Sequence, residues 1–337
     1  MTCLNARTAE TQTTALIDGC GRRIDHLRLS LTDRCNLACK YCSAGDRQGS
    51  YRIDAAFAVG LVRWLASRHG VRHVRLTGGE PLLHPQLLEI IAALSALGTL
   101  DEITLTTNGQ ALAGLADRLR HAGLTRVNIS LDTLDAGRFA QLTRGGSLVH
   151  TLRGIEAAID AQLGPVRLNV VVQRGFNDDE VCRVAEWGLA RKCTVRFLEA
   201  MPIGPMLGMF NERFVPASEI LEQLSQRFTL QPTLAPSGQP ASDYTAASID
   251  ATGLRGVIGV IASTTRPFCA RCRRLRITAR GEIFSCLFDT AGSSLSAAWH
   301  GHSLGEEDAD RIHQAAIIGK PQMGRRTQHT PMIAIGG

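Results

Sequence analysis

Long apolar runs are missing from this 337-residue sequence, because Arg, Asp or Gly interrupts every run well short of the roughly 20 residues a spanning helix needs. A helical membrane protein is therefore not expected. The first residues, MTCLNARTAETQTTALIDGCGRR, lack the apolar core of a secretory signal, so residues 1–25 read as a polar leader and the expected setting is cytoplasmic. Aromatics make up only 5% and the arginines are dispersed, which argues against a nucleic-acid module with basic and aromatic residues interleaved on one face. Lysine is scarce too. Lys40, Lys192 and Lys320 are the only ones, so the formal charge of +6 rests on arginine, whose planar fork suits paired contacts to phosphate.

What remains is ordinary for a globular chain, at 44% hydrophobic and 20% charged residues, and the length allows a large α/β domain with a smaller module. From residue 26 one pattern repeats, a β-branched or apolar run followed by an amphipathic stretch. HLRLSLT, VRHVRLT, DEITLTT, TRVNISL, PVRLNVVVQ and CTVRFLEAM are the expected strands, with DAAFAVGLVRWLASRH and HPQLLEIIAALSAL among the helical stretches between them. Six units are too few for a closed eight-fold barrel. Most of the strands end in polar or glycine-rich punctuation (TDRC, TGGE, TTNG, SLDT, EAMP), as at the carboxyl edge where β/α barrels carry their chemistry, so a partial (β/α)6 barrel of the TIM type is expected over residues 26–230. A helix near 217–227 and a Pro/Ser/Gly-rich linker, QPTLAPSGQPASDY, then lead into a C-terminal α+β module over 231–337. Its strands are GVIGVIAS and LRITARGEIFSCLF, turning at Arg280-Gly281, with a last helix near 305–318.

Ten cysteines are present, and six fall in two tight groups, which in such a chain points to metal rather than disulfides. Cys35-x3-Cys39-x2-Cys42 directly follows the first strand, and Cys269-x2-Cys272-x13-Cys286 lies in the C-terminal module. Three thiolates can hold three irons of a 4Fe-4S cube and leave the fourth iron open to a ligand. Zinc is the alternative, with Cys182 or Cys193 completing the second set, but structural zinc wants four closed ligands and neither group supplies them locally. Cys3 and Cys20 belong to neither group.

The motif CxxxCxYC, with Tyr41 before its last cysteine, resembles the radical S-adenosylmethionine (SAM) superfamily, and Thr77-Gly78-Gly79-Glu80-Pro81 resembles that superfamily's GGEP motif. The resemblance implies that the open iron chelates SAM, and that one electron cleaves SAM to methionine and a 5'-deoxyadenosyl radical. By motif position Tyr41, Gly79, Ser130 and Met201 would contact SAM. The run FCARCRRLR (268–276) with Cys286-Leu287-Phe288, together with LRLSLTDRC, TTNG, NVVVQRGFNDDE, VRFLEAMPIG and a terminal Gly336-Gly337, is similar to the GTP 3',8-cyclase family of molybdenum-cofactor biosynthesis.

That narrower resemblance implies two 4Fe-4S clusters with GTP between them, its guanine at the second. Hydrogen abstraction from the ribose C3' and attack on C8 would give 3',8-cyclo-7,8-dihydro-GTP. Carried over by position, Arg28, Arg75, Thr106, Arg167, Arg196, Arg274, Leu275 and Arg276 would contact GTP, and Gly336 and Gly337 would support the chemistry. The implied partners are an electron donor such as flavodoxin or ferredoxin, a downstream cyclic pyranopterin monophosphate synthase and a second copy in a homodimer, with neither membrane nor nucleic acid. Ser43-Ala44, His73, Arg167, Arg273 and SDYTAAS near Asp243 depart from the family pattern, which leaves open a paralogue acting on another nucleotide or on a peptide.

Overall fold

The computed structural model describes residues 14–42, 51–234 and 239–295, with Ile312, Gln314, His329 and Met332 as isolated positions beyond them. Gly336, Gly337, Ser43, Ala44 and most of the expected 305–318 helix lie outside the described residues.

The six expected units are present. β1 (His26–Ser30) leads to α1 (Ala55–His69), β2 (His73–Thr77) to α2 (Leu87–Ser95), and β3 (Glu102–Thr107) to α3 (Ala116–His121). β4 (Arg126–Ser130) is followed by α4 (Ala136–Thr143) and α5 (Leu148–Asp160), β5 (Arg167–Val172) by α6 (Val181–Ala190), and β6 (Thr194–Glu199) by α7 (Phe210–Arg213) and α8 (Ala217–Ser225). Local chemistry sets the helix ends. Asp54, Asp135 and Ser147 each accept a backbone N–H three residues ahead at the starts of α1, α4 and α5, and Gly70 closes α1 with φ +68°.

The chain beyond residue 227 extends both edges of the same sheet. β7 (Phe228–Pro232), β8 (Ser242–Ser248) and β9 (Arg255–Ile261) form one edge, with β9 parallel to β6. β10 (Arg274–Ile277), β11 (Glu282–Phe284) and β12 (Ser293–Ser294) form the other, with β10 parallel to β1. The outcome is an open 12-stranded sheet in the order β12-β11-β10-β1-β2-β3-β4-β5-β6-β9-β8-β7. The six-unit barrel is thus widened to eight parallel strands. The Pro/Ser/Gly-rich stretch read as a linker belongs partly to β7 and β8, and Pro232 is tolerated because β7 is an edge strand.

Side chains alternate faces along each strand, which separates two environments. Leu27, Leu29, Val74, Leu76, Ile103, Leu105, Val127, Ile129, Leu168, Val195 and Phe197 are buried in the hydrophobic core. The opposite, inner face is polar, and register stacks it in rows. Arg276, Arg28, Arg75, Thr104 and Arg126 stand level across five strands, with Arg274, His26, His73 and Glu102 one row nearer the amino ends. Two further rows, Thr106-Asn128-Arg167 and Ser130-Asn169-Arg196, step across the remaining strands.

The N-terminal segment is more than a polar leader from residue 16 onward. Leu16 and Ile24 are buried, and Ile17 bridges Arg23 in a small antiparallel turn. With so few apolar residues in the stretch, this docking had no clear periodic signal.

Candidate active site between two cysteine loops

The first cysteine loop follows the carboxyl end of β1. It is braced from three neighbouring strands. Leu37 N–H donates to the Cys35 Sγ at 3.4 Å, and Asn108, just beyond β3, donates from Nδ2 to the Asn36 Oδ1 at 2.8 Å with Cys35 Sγ 3.9 Å away. Tyr41 donates its hydroxyl to the Asp132 Oδ2 at 2.8 Å, while the other oxygen of Asp132 accepts the Val171 N–H at 2.7 Å. Burial pushes Asp132 up to about 6 although both donors pull it down. Burial likewise pushes the Tyr41 hydroxyl well up, helped by the Asp132 charge.

Gly78 and Gly79 have a more specific purpose than loop flexibility. Gly79 N–H donates to the Thr32 carbonyl at 2.6 Å and Glu80 N–H to the Arg34 carbonyl at 2.8 Å, so the β2 loop presses against the backbone that leads into Cys35. A Cβ at Gly79 would lie 2.3 Å from the Arg34 oxygen, and one at Gly78, where φ is +143°, 2.2 Å from the Thr32 oxygen. Glu80 then ties this loop to β3 by accepting from the Thr107 hydroxyl (2.7 Å), Asn108 N–H (2.8 Å) and Leu82 N–H (3.1 Å), and burial raises it to about 7. Gly79→Ala should therefore displace the cysteine loop at an overpacking cost of about 1–3 kcal/mol, weakening SAM binding roughly tenfold to a hundredfold. Equilibrium dialysis of SAM against the reconstituted protein checks this.

The second cysteine group lies at the opposite end of the barrel. Cys269 and Cys272 precede β10, which runs parallel to β1, and β11 returns antiparallel so that Cys286 comes back to the same end. The coupling of Cys286 to Cys272, and of Arg276 to both thiols, agrees with that placement. The two loops are thus separated by one five-residue strand, roughly 17 Å at the usual rise.

Between them a pocket opens on the inner face of the sheet, lined by residues of β1 to β6 and β10. Six arginines line it (Arg28, Arg75, Arg126, Arg167, Arg196 and Arg274) against the single carboxylate of Glu102. Burial, followed by mutual repulsion, holds Arg75 and Arg167 down at about 9 and Arg276 at about 10, and Arg28 well below its usual range. Arg75, Arg167 and Arg276 therefore stay charged at neutral pH, and the pocket stores positive charge. The Nε of Arg167 and the hydroxyl of Thr106 are buried without a hydrogen-bond partner, the condition of groups that await a ligand.

The sequence-predicted residues do not all converge. Arg28, Arg75, Arg167, Arg196 and Arg274 line the pocket, Arg276 stands in register with Arg28, and Thr106 lies on the inner face nearer the first loop. Leu275 turns its side chain away from the pocket by alternation, into the outer hydrophobic core with Ile277. Met201 packs in an apolar cluster with Ile203, Phe284, Leu287 and Phe288, and Ser130 ends β4 level with Asn169. Arg126 and Glu102 were not anticipated. Arg126 Nε donates to Glu102 at 2.9 Å and its NH1 to the Asn128 Oδ1 at 3.3 Å, and the missed signal was the two-residue spacing Arg126-Asn128-Ser130 on one inward face.

Three of the departures from the motif pattern are accommodated. Arg273 pairs with Asp25, His73 stacks on His26 at 4.2 Å, and Asp243 on β8 pairs with Arg196 at 3.2 Å.

Neither cysteine group is gathered on one point: among the described residues no three His, Cys, Asp or Glu side chains are placed to hold a single metal ion. The donor sets are nonetheless those of three-thiolate cluster sites. Burial and then the neighbouring Cys42, Asp132 and Cys35 charges push the Cys39 thiol well up, so three thiolates can coexist there only beside compensating metal charge. Cys182 donates its thiol to the Gln223 carbonyl at 3.2 Å and Cys193 is buried in the core, so both are engaged away from the second group.

Comparison with known proteins places the sequence in a family. Residues 29–188 match the family model described as Radical SAM superfamily, and residues 193–325 that described as Molybdenum Cofactor Synthesis C. The GTP 3',8-cyclase of Pelotomaculum thermopropionicum is 43% identical over 303 residues, covering 89% of this chain and 92% of that protein. The chain belongs to the GTP 3',8-cyclase family. The GTP 3',8-cyclase of Corynebacterium glutamicum, 40% identical over 337 residues, covers 96% of this chain with 89% of its own length. As members of the radical SAM superfamily, proteins of this family take 4Fe-4S clusters and SAM, and this chain carries the cysteine loops for them.

Among solved structures, Streptococcus suis SuiB bound to SAM has a TM-score of 0.55 at 12% identity, over 83% of this chain and 65% of that one. Native anSMEcpe with bound AdoMet gives 0.55 at 14%, over 86% and 84%. At such identities these two establish the shared fold alone.

Proposed function

We propose that this chain is a GTP 3',8-cyclase, converting GTP to 3',8-cyclo-7,8-dihydro-GTP at the start of molybdenum-cofactor biosynthesis. The observation that carries the reading is the placement of an arginine-lined pocket on the inner face of a barrel strand with a three-cysteine loop at each end. Cys35, Cys39 and Cys42 hold the cluster that binds SAM, and Cys269, Cys272 and Cys286 hold the one beside the guanine. When bound, the first cluster and SAM supply the 5'-deoxyadenosyl radical that takes the C3' hydrogen. Everything else asked of the chain is positioning.

The arginines of the two lower rows neutralise a triphosphate whose charge relieves their mutual repulsion. Thr106 and Arg167, farther along the inner face, keep unsatisfied donors for the nucleotide. The open sheet lets GTP enter, and the apolar layer under the helices excludes water from the rest of the wall.

The reading brings with it a one-electron donor such as flavodoxin or ferredoxin, a downstream cyclic pyranopterin monophosphate synthase, a homodimer and a cytoplasmic setting. Among the described residues no helix is long and apolar enough to cross a membrane.

Anaerobically reconstituted protein given GTP, SAM and dithionite should form the cyclic product, identified by mass spectrometry. A calorimetric titration tests the pocket. Each charge-assisted hydrogen bond to phosphate is worth roughly 1.5–3 kcal/mol, so Arg75→Ala or Arg274→Ala should weaken GTP binding about tenfold to a hundredfold. SAM binding should hardly change, and truncation also eases repulsion in the cluster, so the fold should not suffer. An unchanged dissociation constant in both variants would remove GTP from this pocket.

A further inference from the structure

The N-terminal turn reaches the second cysteine loop through one buried ion pair. Residues 16–24 double back, with Ile24 N–H donating to the Leu16 carbonyl (2.8 Å), Asp18 N–H to the Arg22 carbonyl (3.0 Å), and Gly21 at φ +74° making the reversal. Asp18, its side chain fully buried, accepts the backbone N–H groups of Cys20 and Arg22, both at 2.9 Å, and the Nε of Arg22 at 2.5 Å. The guanidinium so fixed extends its NH1 to the carbonyl oxygen of Cys269 at 2.5 Å, across 247 residues of sequence.

A second link lies alongside. Asp25 pairs with Arg273, and His26 N–H donates to the Arg273 carbonyl at 3.1 Å. The Cys269–Arg271 turn has no buried residue, so apolar packing does not anchor it. Polar contacts from the N-terminal segment do.

A buried Asp–Arg pair offers little net stability, because desolvating both charges offsets most of their attraction. Its worth must lie in what it holds. We propose that Arg22, oriented by Asp18, is a positioning residue of the second iron–sulfur site, fixing the Cys269 backbone and setting the charge beside the cluster. This rests on the reading that Cys269, Cys272 and Cys286 hold a cluster. Residues behind the ligands orient them, and cluster potentials follow nearby charge and hydrogen bonding, so both effects are expected from one side chain.

The two partners make opposite predictions. Arg22→Gln leaves the Asp18 carboxylate uncompensated near the cluster and disfavours the added electron, lowering the reduction potential. Asp18→Asn leaves the guanidinium uncompensated and raises it. A role confined to folding would not reverse sign between them.

The test uses the full chain, reconstituted anaerobically, with iron content, electron paramagnetic resonance and a potentiometric titration of the second cluster's signal. Wild type should hold about eight irons, and failure there would sink the two-cluster reading before any variant is made. Arg22→Gln should fall toward about four irons, keep the first-loop signal, and shift the residual second-cluster signal to lower potential. Arg22→Lys should recover most of the iron, since an ammonium can still donate to the Cys269 carbonyl. Wild-type iron with an unmoved potential in Arg22→Gln overturns the proposal. So does loss of both clusters together, which would make Arg22 a support of the whole fold.

Discussion

Cys39→Ala abolishes reductive cleavage of SAM. The expectation follows from how the first loop is built. Cys39 is held in a loop braced by Tyr41–Asp132 on one side and by the Gly79–Glu80 backbone on the other, and its thiol is pushed well up by burial and by the Cys42, Asp132 and Cys35 charges. A buried thiol so disfavoured as a free anion is a poor nucleophile but a good ligand, because iron supplies the charge that makes the thiolate stable. Among the described residues the other candidate ligands are engaged elsewhere, Cys182 and Cys193 away from the loop and the carboxylate of Asp132 by Tyr41 and Val171. Removing one of three corners leaves two thiolates for a cube that needs three and an open iron. Dithionite-dependent 5'-deoxyadenosine formation should fall below detection in Cys39→Ala, and equally in Cys35→Ala and Cys42→Ala. A wild-type rate in any of the three contradicts the assignment.

The parts of this protein that were legible in its sequence are those whose signal is local. Strand, loop and helix alternate within about thirty residues, so the six units and the loops TDRC, TGGE and TTNG at their carboxyl ends could be placed from hydrophobic periodicity and punctuation. The widening of the wall could not. β10 joins β1 across about 250 residues and β9 joins β6 across two helices and a hairpin, and no local pattern announces a parallel partner at that separation.

The same limit explains where the pocket lies. The carboxyl edge was the expected place for chemistry, and it does hold the first loop, but the arginine rows occupy the amino-terminal half of the inner face. Strand alternation contained that information. Arg28 and Arg276 share a face with Arg75, while Leu275, one position over, must turn outward. Gly79 was singled out on motif grounds, yet the physical need for a glycine there, the 2.3 Å a Cβ would leave to the Arg34 oxygen, exists only once two loops meet.

The second large effect separates the two clusters. Cys272→Ala should retain a substantial part of reductive SAM cleavage and eliminate the GTP-derived product. The separation by one strand length, roughly 17 Å, means that damage at the amino end of β10 need not reach the Tyr41–Asp132 brace or the Gly79 contact at the carboxyl end of β1. Product formation should be lost because the guanine loses its anchor, and without a fixed base the ribose C3' is no longer presented to the radical. The positive charge of Arg28 and Arg276, which the Cys272 thiolate offsets, stays in place to attract the triphosphate, so GTP binding weakens through the base alone. Uncoupled 5'-deoxyadenosine without cyclic product is the diagnostic pattern, measured by quantifying both from one anaerobic incubation, with about four irons remaining on the chain. Normal GTP binding and normal product in Cys272→Ala would reduce the second cysteine group to a structural role, whatever metal it holds.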